Sequence, residues 1–379
     1  MTRPLRALIL GAGYAGQGHA QALRDVGVEI AGMSSRTENV GGKIAAEQSI
    51  PRYSTDWRAL LTELKPDIVA IGTPGGTHLE MISAALDAGC HVLADKPLAT
   101  TAADAKTIYE LAKTKGVKTA YAASYCYQPQ ALFAREMVQE GVLGRVLEVE
   151  CVSHFNWPAL MPFGWPHRLE TGGGRLNNNF PHKLAIVQKV LGGEVLAAMG
   201  ESRNDLKRVP IGGQVHDFRE FAKQAMTPEQ AAKLKWAIVN SDWSYTAILR
   251  VGDRAKGLDE AASVTFRHSA LRAGWHGDYI AIYGEKGTLH VEGSYMQGSL
   301  YLKTASPTWE ELAVPLHIVD YLPPDEDHTQ RNWHQLAREF VADIRGEPHP
   351  QYLTFRDGWI YQELIDVIRG NTCWVPTPT

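Results

Sequence analysis

The segment that most restricts the fold is residues 8–16, which read Leu-Ile-Leu-Gly-Ala-Gly-Tyr-Ala-Gly. The three glycines have the spacing G-x-G-x-x-G, directly after an apolar run and before a stretch with helical periodicity. Strand, glycine turn and helix in this order form the phosphate-binding unit of a dinucleotide-binding sheet. Gly11 permits the tight turn, Gly13 lets the backbone approach the pyrophosphate, and Gly16 permits close helix–strand packing. The helix N-terminus then offers unpaired N–H groups to the phosphates.

The first 124 residues alternate between short apolar runs and amphipathic stretches. Strands are predicted at residues 5–10, 28–33, 68–71, 91–93 and 118–122, and helices at residues 15–26, 57–64, 77–88 and 102–115. Strands rich in Val, Ile and Leu that alternate with helices indicate βαβ units and a parallel sheet. Right-handed crossovers then give a doubly wound Rossmann domain at residues 1–124.

The remaining residues, 125–379, have a different pattern and are predicted to form a second α/β domain. Strands are predicted at residues 146–155, 244–251, 262–268, 278–283, 288–291 and 299–302, and helices at residues 130–140, 218–236, 332–344 and 358–368. Glycine-containing turns separate several of these strands, which is typical of antiparallel pairing. We therefore expect an open, largely antiparallel sheet in this half of the chain.

Composition and charge limit the classes of function. The 379 residues are 44% hydrophobic and 21% charged, with a formal net charge of -4, so neither nucleic acid nor a membrane is an expected partner. No stretch approaches the ~20 apolar residues that span a bilayer, and we expect a cytoplasmic protein. The histidines are isolated from one another, so no metal site is predicted. Reduced thiols are expected at the four scattered cysteines, which are Cys90, Cys126, Cys151 and Cys373.

The end of the second predicted strand bears on the choice between NADP and NAD. NAD-preferring sites usually carry an acidic residue about 20 residues past the glycine motif, where this chain has Ser35 and Arg36. A carboxylate would repel the 2′-phosphate of NADP, whereas the guanidinium of Arg36 can pair with it. Stacking of Arg36 on the adenine, or full solvation, are the alternatives. The sequence favours NADP, with NAD as the second choice.

Three further segments carry a family resemblance when they are combined with residues 11–16. They are residues 72–78 (Gly-Thr-Pro-Gly-Gly-Thr-His), residues 88–98 (with Asp95-Lys96-Pro97) and residues 172–182 (Gly-Gly-Gly-Arg-Leu-Asn-Asn-Asn-Phe-Pro-His). In this order and spacing they resemble the glucose–fructose oxidoreductase / inositol dehydrogenase / MocA (Gfo/Idh/MocA) family over nearly the whole chain. The resemblance implies NAD(P)-dependent hydride transfer to or from a carbon of a sugar, cyclitol or glycoside. It also implies that the second domain binds substrate and forms a homo-oligomer, either a dimer or a tetramer.

The glycine motif, the end of the second strand and the resemblance together assign one set of residues to the cofactor. These residues lie at strand ends, where α/β sheets bind their ligands. The set comprises Gly11, Gly13, Tyr14, Ala15, Gly16, Ser35, Arg36, Thr73, Pro74, His78, Asp95 and Lys96.

Lys96 matches the catalytic lysine of the family, and His182 matches its second proton-transfer residue. A lysine beside the nicotinamide can exchange a proton with a substrate hydroxyl. A cis peptide before Pro97 is one way of aiming Lys96, although the sequence does not decide it. Asn178 precedes His182 by four residues, so we expect the two side chains to interact on one face of a helix. Without the family motif, a structural histidine and a surface lysine would be the alternatives.

The chain departs from the family pattern at three positions. Asn178 stands where the family commonly has Asp, Ala185 replaces a frequent Asp, and Cys126 replaces a frequent Arg. An amide can bind a hydroxyl or orient His182, but it cannot stabilise an imidazolium as a carboxylate does. We still expect Lys96, His182 and Asn178 to form the catalytic group.

The substrate set is completed by an aromatic and polar stretch between the two domains. Tryptophan faces stack on the C–H faces of sugars, while neighbouring polar groups bind hydroxyls. Core tryptophans and a surface arginine are the alternative interpretation of this stretch. The predicted substrate contacts are Lys96, Trp165, Arg168, Asn178 and His182.

Three functions are compatible with these features. The first is a dehydrogenase or reductase that acts on a sugar-like CH–OH group. The second is an enzyme of the same fold that oxidises a glycoside transiently and cleaves it by elimination, with the cofactor recycled. The third is a non-catalytic, nucleotide-responsive regulatory protein, which Asn178 and Ala185 motivate and which the retention of Lys96 and His182 opposes.

Overall fold

Two large sheets with their covering helices form most of the molecule. The computed structural model describes residues 3–213, 215, 220–221, 223–274, 277–325 and 327–370. Cys373 lies outside these residues, as does His276. Within the described part of the chain, no helix is both long and apolar enough to cross a membrane.

The first sheet is fully parallel, and its strand order is β3-β2-β1-β4-β5-β6. Its strands are β1 (Arg6–Leu10), β2 (Glu29–Ser34), β3 (Tyr53–Ser54), β4 (Ile68–Ile71), β5 (His91–Ala94) and β6 (Thr119–Tyr121). The helices between them are α1 (Tyr14–Asp25), α2 (Glu38–Glu47), α3 (Trp57–Leu64), α4 (His78–Asp87) and α5 (Ala102–Lys115). The order reverses between β1 and β4, where doubly wound sheets bind their ligands. The predicted Rossmann architecture is therefore confirmed, with β3 and α2 as elements that the sequence did not indicate.

The second sheet has eight strands in the order β16-β15-β14-β13-β7-β12-β11-β8. The elements of this half are α6 (Pro129–Gln139), β7 (Val146–His154), α7 (Arg175–Asn178), α8 (Phe180–Leu191), β8 (Glu194–Arg203), β9 (Arg208–Pro210), α9 (Pro228–Ala231), β10 (Trp236–Ile238), β11 (Ser244–Gly252), β12 (Ala262–Ser269), β13 (Tyr279–Gly284), β14 (Thr288–Glu292), β15 (Leu300–Lys303), β16 (Glu310–Leu312), α10 (Leu316–Tyr321), α11 (His328–Arg345) and α12 (Phe355–Gly370). Only β7 and β12 pair in parallel within this sheet, so the prediction of a largely antiparallel sheet is confirmed.

The helix predicted at residues 218–236 is wrong for the described part of that segment. The described residues contain the single helical turn of α9, and β10 begins at Trp236. Thr227 caps α9 by accepting a hydrogen bond from the backbone N–H of Gln230, while Pro228 begins the helix. Cap and proline start a helix here, but residues 232–235 are exposed, so no buried face stabilises a longer helix.

The continuous helix expected through Asn178 and His182 is also wrong, because α7 ends at Asn178 and α8 begins at Phe180. Pro181 explains the break. Proline has no N–H to donate to the carbonyl four residues earlier, and its ring clashes with that turn. It is tolerated at the start of α8, where no such bond is needed.

The two last helices return to the first sheet. α11 packs against α1, and α12 packs against α5. Trp333 of α11 lies so close to Gly18 that a Cβ there would be 2.0 Å from the indole ring. The backbone N–H of Tyr121 in β6 donates to the carbonyl of Leu353 at 2.8 Å. These contacts join the beginning and the end of the chain in one packed body.

Candidate active site

The glycine turn after β1 is packed so tightly that side chains are excluded from it. Gly11 has a φ of +108°, and a Cβ on it would lie 2.8 Å from the carbonyl carbon of Gly72. A Cβ on Gly16 would lie 1.9 Å from the carbonyl oxygen of Gly11. Gly13 is the N-cap of α1 and brings no side chain to the first-turn N–H groups. These N–H groups and the open backbone fit a pyrophosphate.

Ser35 and Arg36 follow β2, at the edge of the same turn. The Ser35 hydroxyl lies 3.0 Å from the hydroxyl of Tyr53, which also lies 3.0 Å from the carbonyl of Thr37. Arg36 is exposed, and no ion pair or hydrogen bond of its side chain is found among the described residues. Its guanidinium is therefore available to a phosphate, as the predicted preference for NADP would require.

The loop after β4 carries Thr73, Pro74 and His78. His78 is fully buried, and its Nε2 lies 2.9 Å from the carbonyl oxygen of Thr73. Burial lowers the pKa of His78, so the ring is neutral at neutral pH and donates this hydrogen bond. Thr77 donates from Oγ1 to Oγ1 of Thr73 at 2.7 Å. His78 thus stabilises the loop through its hydrogen bond to Thr73. Its contact with a cofactor stays a prediction.

The same loop meets the triple glycine of the second half of the chain. A Cβ on Gly76 would lie 2.4 Å from the carbonyl oxygen of Glu170, and one on Gly172 would lie 2.9 Å from Gly75. Pro97 packs into this contact, because a Cβ on Gly75 would be 2.8 Å from its ring. Close approach of these backbones brings the end of β5 beside residues 172–174.

Lys96 and Asn178 are brought together at this junction. The Lys96 Nζ donates to Oδ1 of Asn178 at 3.4 Å, and the Lys96–Pro97 peptide is cis. Nδ2 of Asn178 donates to the carbonyl oxygens of Gly172 at 3.2 Å and Gly174 at 2.7 Å. Because the amide nitrogen must face these two carbonyls, the oxygen faces the lysine. The residue that replaces the family's Asp therefore holds the lysine.

His182 lies near this pair but is not bonded to Asn178. Only 7% of His182 is exposed, and its Nδ1 has no hydrogen-bond partner among the described residues. Its ring is nearly perpendicular to the rings of Tyr125 and Tyr295. The distances between ring centres are 4.5 Å to Tyr125 and 5.8 Å to Tyr295. Burial, then the positive charges of Lys96 and Arg175, lower the pKa of His182 well below its usual value. His182 is consequently neutral at neutral pH.

Arg175 is a site residue that the sequence analysis missed. It is 7% exposed, and its Nε donates to Nε2 of His268 at 3.1 Å. The guanidinium carbon lies 5.0 Å from the ring centre of Phe155 and 5.5 Å from that of Trp157. One signal was present in the sequence: an arginine directly after three glycines, one helical turn before Asn178.

Trp165 and Arg168 lie on the segment that supports the triple glycine. The Trp165 carbonyl accepts a hydrogen bond from Oγ1 of Thr171 at 2.8 Å. The Arg168 guanidinium lies 5.7 Å from the ring centre of Phe163. Both side chains are partly exposed, and their contact with a substrate stays a prediction.

Neither a metal-binding cluster nor a disulfide occurs among the described residues. No group of three or more His, Cys, Asp or Glu side chains there is arranged to hold a metal ion. Cys90, Cys126 and Cys151 are buried, unpaired thiols. Burial raises the pKa of Cys126 to about 12, so this thiol is not ionised at neutral pH.

Comparison with known proteins identifies related sequences in both halves. A family model for GFO/IDH/MocA oxidoreductases with an NAD-binding Rossmann fold matches residues 5–123. The model for the GFO/IDH/MocA C-terminal domain matches residues 131–290. The prediction of this family from the four motifs is therefore confirmed.

Two curated relatives are sugar dehydrogenases. Levoglucosan dehydrogenase of Pseudarthrobacter phenanthrenivorans is 29% identical over 37% of this chain, and the chain spans 36% of its length. D-glucoside 3-dehydrogenase of Escherichia coli is 32% identical over 38% of this chain, which spans 41% of its length. The solved structure of levoglucosan dehydrogenase with NADH and levoglucosan has a TM-score of 0.79 at 19% identity, covering 97% of this chain and 96% of that one. At 19% identity, this comparison shows that the two proteins share a fold.

Proposed function

The chain belongs to the Gfo/Idh/MocA family of oxidoreductases, and we propose that it transfers a hydride between a bound nicotinamide cofactor and a CH–OH carbon of a sugar, cyclitol or glycoside. The observation that carries this proposal is the contact between Lys96 and Asn178, beside the triple glycine at residues 172–174 and just after the end of β5. The sugar dehydrogenases among its relatives support the class of substrate.

The bound nicotinamide supplies the hydride acceptor for oxidation and the hydride donor for reduction. Lys96 moves the proton: in the oxidative direction its unprotonated amine accepts the hydroxyl proton as the carbon–oxygen double bond forms. Asn178 positions the amine through its Oδ1 and is itself held by the two glycine carbonyls. Lys96 is therefore the catalytic residue of this proposal, and Asn178 is its positioning residue.

His182 has a different role from the lysine because it is neutral. An uncharged imidazole can accept or donate a hydrogen bond to the reacting oxygen without adding a second positive charge beside Lys96. The edges of the Tyr125 and Tyr295 rings fix its plane. We propose that His182 orients the substrate hydroxyl.

For the cofactor we propose NADP, with NAD as the alternative. Arg36 carries this choice because it is exposed and pairs with no carboxylate among the described residues. The cytoplasmic location and the homo-oligomeric state expected from the sequence stay predictions.

The test is a screen of the purified protein for reduction of NAD and NADP with sugars, cyclitols and glycosides. On a confirmed substrate, Lys96→Met should reduce kcat by at least ~100-fold, the usual scale for a lost acid or base, while cofactor affinity changes little. Lys106→Met is the matched control, since Lys106 is a half-exposed lysine of α5. Unchanged turnover in Lys96→Met would refute the assignment. Release of aglycone without net cofactor reduction would indicate transient oxidation, and cofactor binding without any turnover would indicate a regulatory protein.

A further inference from the structure

Arg175 is a buried cation beside the proposed reaction centre. It begins α7, three residues before Asn178, so the two side chains lie on the same side of one helical turn. Its guanidinium faces are next to the rings of Phe155 and Trp157. Its Nε is occupied by His268, whose Nδ1 lies 2.7 Å from Oγ of Ser153. The position of the guanidinium is therefore fixed from several sides.

The acceptor role of His268 is consistent with its charge. Burial and the neighbouring positive charges, first that of Arg175, lower the pKa of His268 well below its usual value. The neutral ring donates from Nδ1 to Ser153 and accepts from Arg175 at Nε2. A neutral partner orients Arg175 but does not form an ion pair with it, and the Asp242 carboxylate acts on its charge only without direct contact.

Two carboxylates that act on the buried cations of this region, Asp242 and Asp278, are already bonded elsewhere. Asp242 forms an ion pair with Arg369 at 3.0 Å and accepts a hydrogen bond from the backbone N–H of Leu176 at 2.7 Å. Asp278 accepts hydrogen bonds from the backbone N–H of His154 and from the Ser294 hydroxyl. Among the described residues, Arg175 has no ion pair. A buried guanidinium without a counter-charge is costly, which favours an anion at this place when the site is filled.

A second buried cation strengthens the local positive potential. Lys183 is 1% exposed, and its Nζ has no hydrogen-bond partner among the described residues. The Lys183 Nζ lies 5.9 Å from the ring centre of Tyr295, which also contacts His182. A positive potential of this kind favours a negatively charged ligand over a neutral one.

The free part of Arg175 has the shape that a carboxylate needs. No hydrogen bond from Nη1 or Nη2 to a described residue is found, so two coplanar N–H donors remain on one edge. Such an edge binds carboxylates in a two-point contact. We propose that the substrate is a polyhydroxy acid whose carboxylate binds Arg175 while the hydroxyl to be oxidised lies at Lys96. This inference rests on the proposed dehydrogenase function and names its substrate class.

The test compares matched pairs of compounds that differ in the acid group. Aldonates are paired with the corresponding alditols, and uronates with the corresponding aldoses; sugar 6-phosphates distinguish a carboxylate from a phosphate ester. We expect kcat/KM for the preferred acid to exceed that for its neutral partner by at least ~10-fold. Arg175→Met should remove this preference, and Arg175→Lys should retain part of it because charge remains while the two-point contact is lost. Arg254→Met is the control, since Arg254 is an exposed arginine paired with Glu194.

Calorimetric binding to the protein loaded with reduced cofactor separates this inference from the proposed function. Arg175-dependent binding of an acid without any turnover would support the carboxylate site and refute the dehydrogenase. If the protein turns over neutral sugars, and Arg175→Met lowers kcat/KM equally for the acid and for its neutral counterpart, the carboxylate site is refuted. The proposed dehydrogenase function would then still stand. Preference for a sugar phosphate, or neither binding nor preference for any acid, would also refute it. Thermal unfolding of Arg175→Met and of Arg175→Lys verifies that both variants are folded.

Discussion

The cofactor side of the candidate site is formed mainly by backbone, whereas the substrate side is formed by side chains. On the cofactor side, Gly11, Gly16 and Gly72 approach so closely that their missing Cβ atoms define the shape. On the substrate side, Arg175 and Asn178 are fixed by hydrogen bonds to residues distant in the sequence. A backbone site depends on a few glycines, while a side-chain site can change its ligand through single substitutions. The predictions below test this contrast.

The largest effect is expected for Gly16→Ala. The new Cβ would lie 1.9 Å from the carbonyl oxygen of Gly11, and neither backbone can withdraw without moving the turn. We expect a loss of about 3–5 kcal/mol in unfolding free energy, or at least ~100-fold weaker cofactor binding. Gly42→Ala is the control: its Cβ would meet only Tyr53, at 3.6 Å, so the change should be neutral or stabilise α2 by about 0.5–1 kcal/mol. Equal effects of the two substitutions would contradict the backbone interpretation.

Arg36→Ala tests the charged side chain that is proposed to contact the 2′-phosphate of the cofactor. Loss of a charge-assisted contact should weaken NADP binding by about 1–3 kcal/mol, or roughly 5–150-fold, and leave NAD binding nearly unchanged. Titration of both cofactors against the variant measures the difference. Arg58→Ala, at an exposed arginine paired with Glu80, controls for a general loss of charge. Equal weakening of both cofactors would instead indicate stacking on the adenine.

Lys183→Met tests the cost of the buried charge on the substrate side. Burial lowers the pKa of Lys183 from 10.5 to about 8, so folding at a pH between about 8 and 10.5 releases a proton from this amine. The unfolded chain then binds more protons, and stability rises with pH across this window. Lys183→Met should raise the unfolding free energy by about 1–3 kcal/mol at pH 7, and the gain should fade as the pH rises from 8 to 10.5.

Denaturant unfolding at several pH values measures this gain. Lys189→Met is the control, because it removes a lysine of the same helix that is only partly buried. A gain for Lys183→Met that is constant between pH 7 and 10.5 would show that packing, not charge, causes it.

The smallest effect is expected for Asn178→Asp. A carboxylate cannot donate to the carbonyls of Gly172 and Gly174, although it would gain an ion pair with Lys96. We expect a net loss of about 1 kcal/mol in unfolding free energy, with turnover retained and its pH profile altered. Asn178→Ser, which keeps one donor, provides the comparison. A variant that is more stable than the parent protein would show that the two carbonyl contacts do not decide the residue at this position.

The nucleotide half was largely predictable because its signals are local. Apolar runs and the glycine turn located five of the six strands of the first sheet within two residues of their observed ends. The missed helix, α2, contains Gly41 and Gly42, which suggest a turn in sequence. In the structure, Gly41 is required because a Cβ there would lie 2.5 Å from the hydroxyl of Tyr53. Packing against Tyr53 therefore explains a glycine within a helix that the sequence analysis did not predict.

The substrate half was less predictable because its decisive contacts join distant segments. β8 was missed, since this edge strand has no fully buried residue and contains Gly200. Lys96 and Asn178 were identified from the family motif, but the direction of the amide follows from two glycine carbonyls. The role of Arg175 depends on His268, which is 93 residues away in sequence. Of the sequence signals, only Pro181 was sufficient to predict the break before α8, and it was overlooked.

The return of α11 and α12 to the first sheet has a consequence for synthesis of the chain. A ribosome releases β1–β6 first, whereas the helices that cover α1 and α5 follow roughly 230 residues later. At ~5–20 residues per second, this delay is on the order of ten to fifty seconds. During that interval the surface that receives Trp333 beside Gly18 has no partner to cover it. We therefore expect the nascent nucleotide-binding half to be the stage most exposed to aggregation, even though it contains the most locally determined part of the fold.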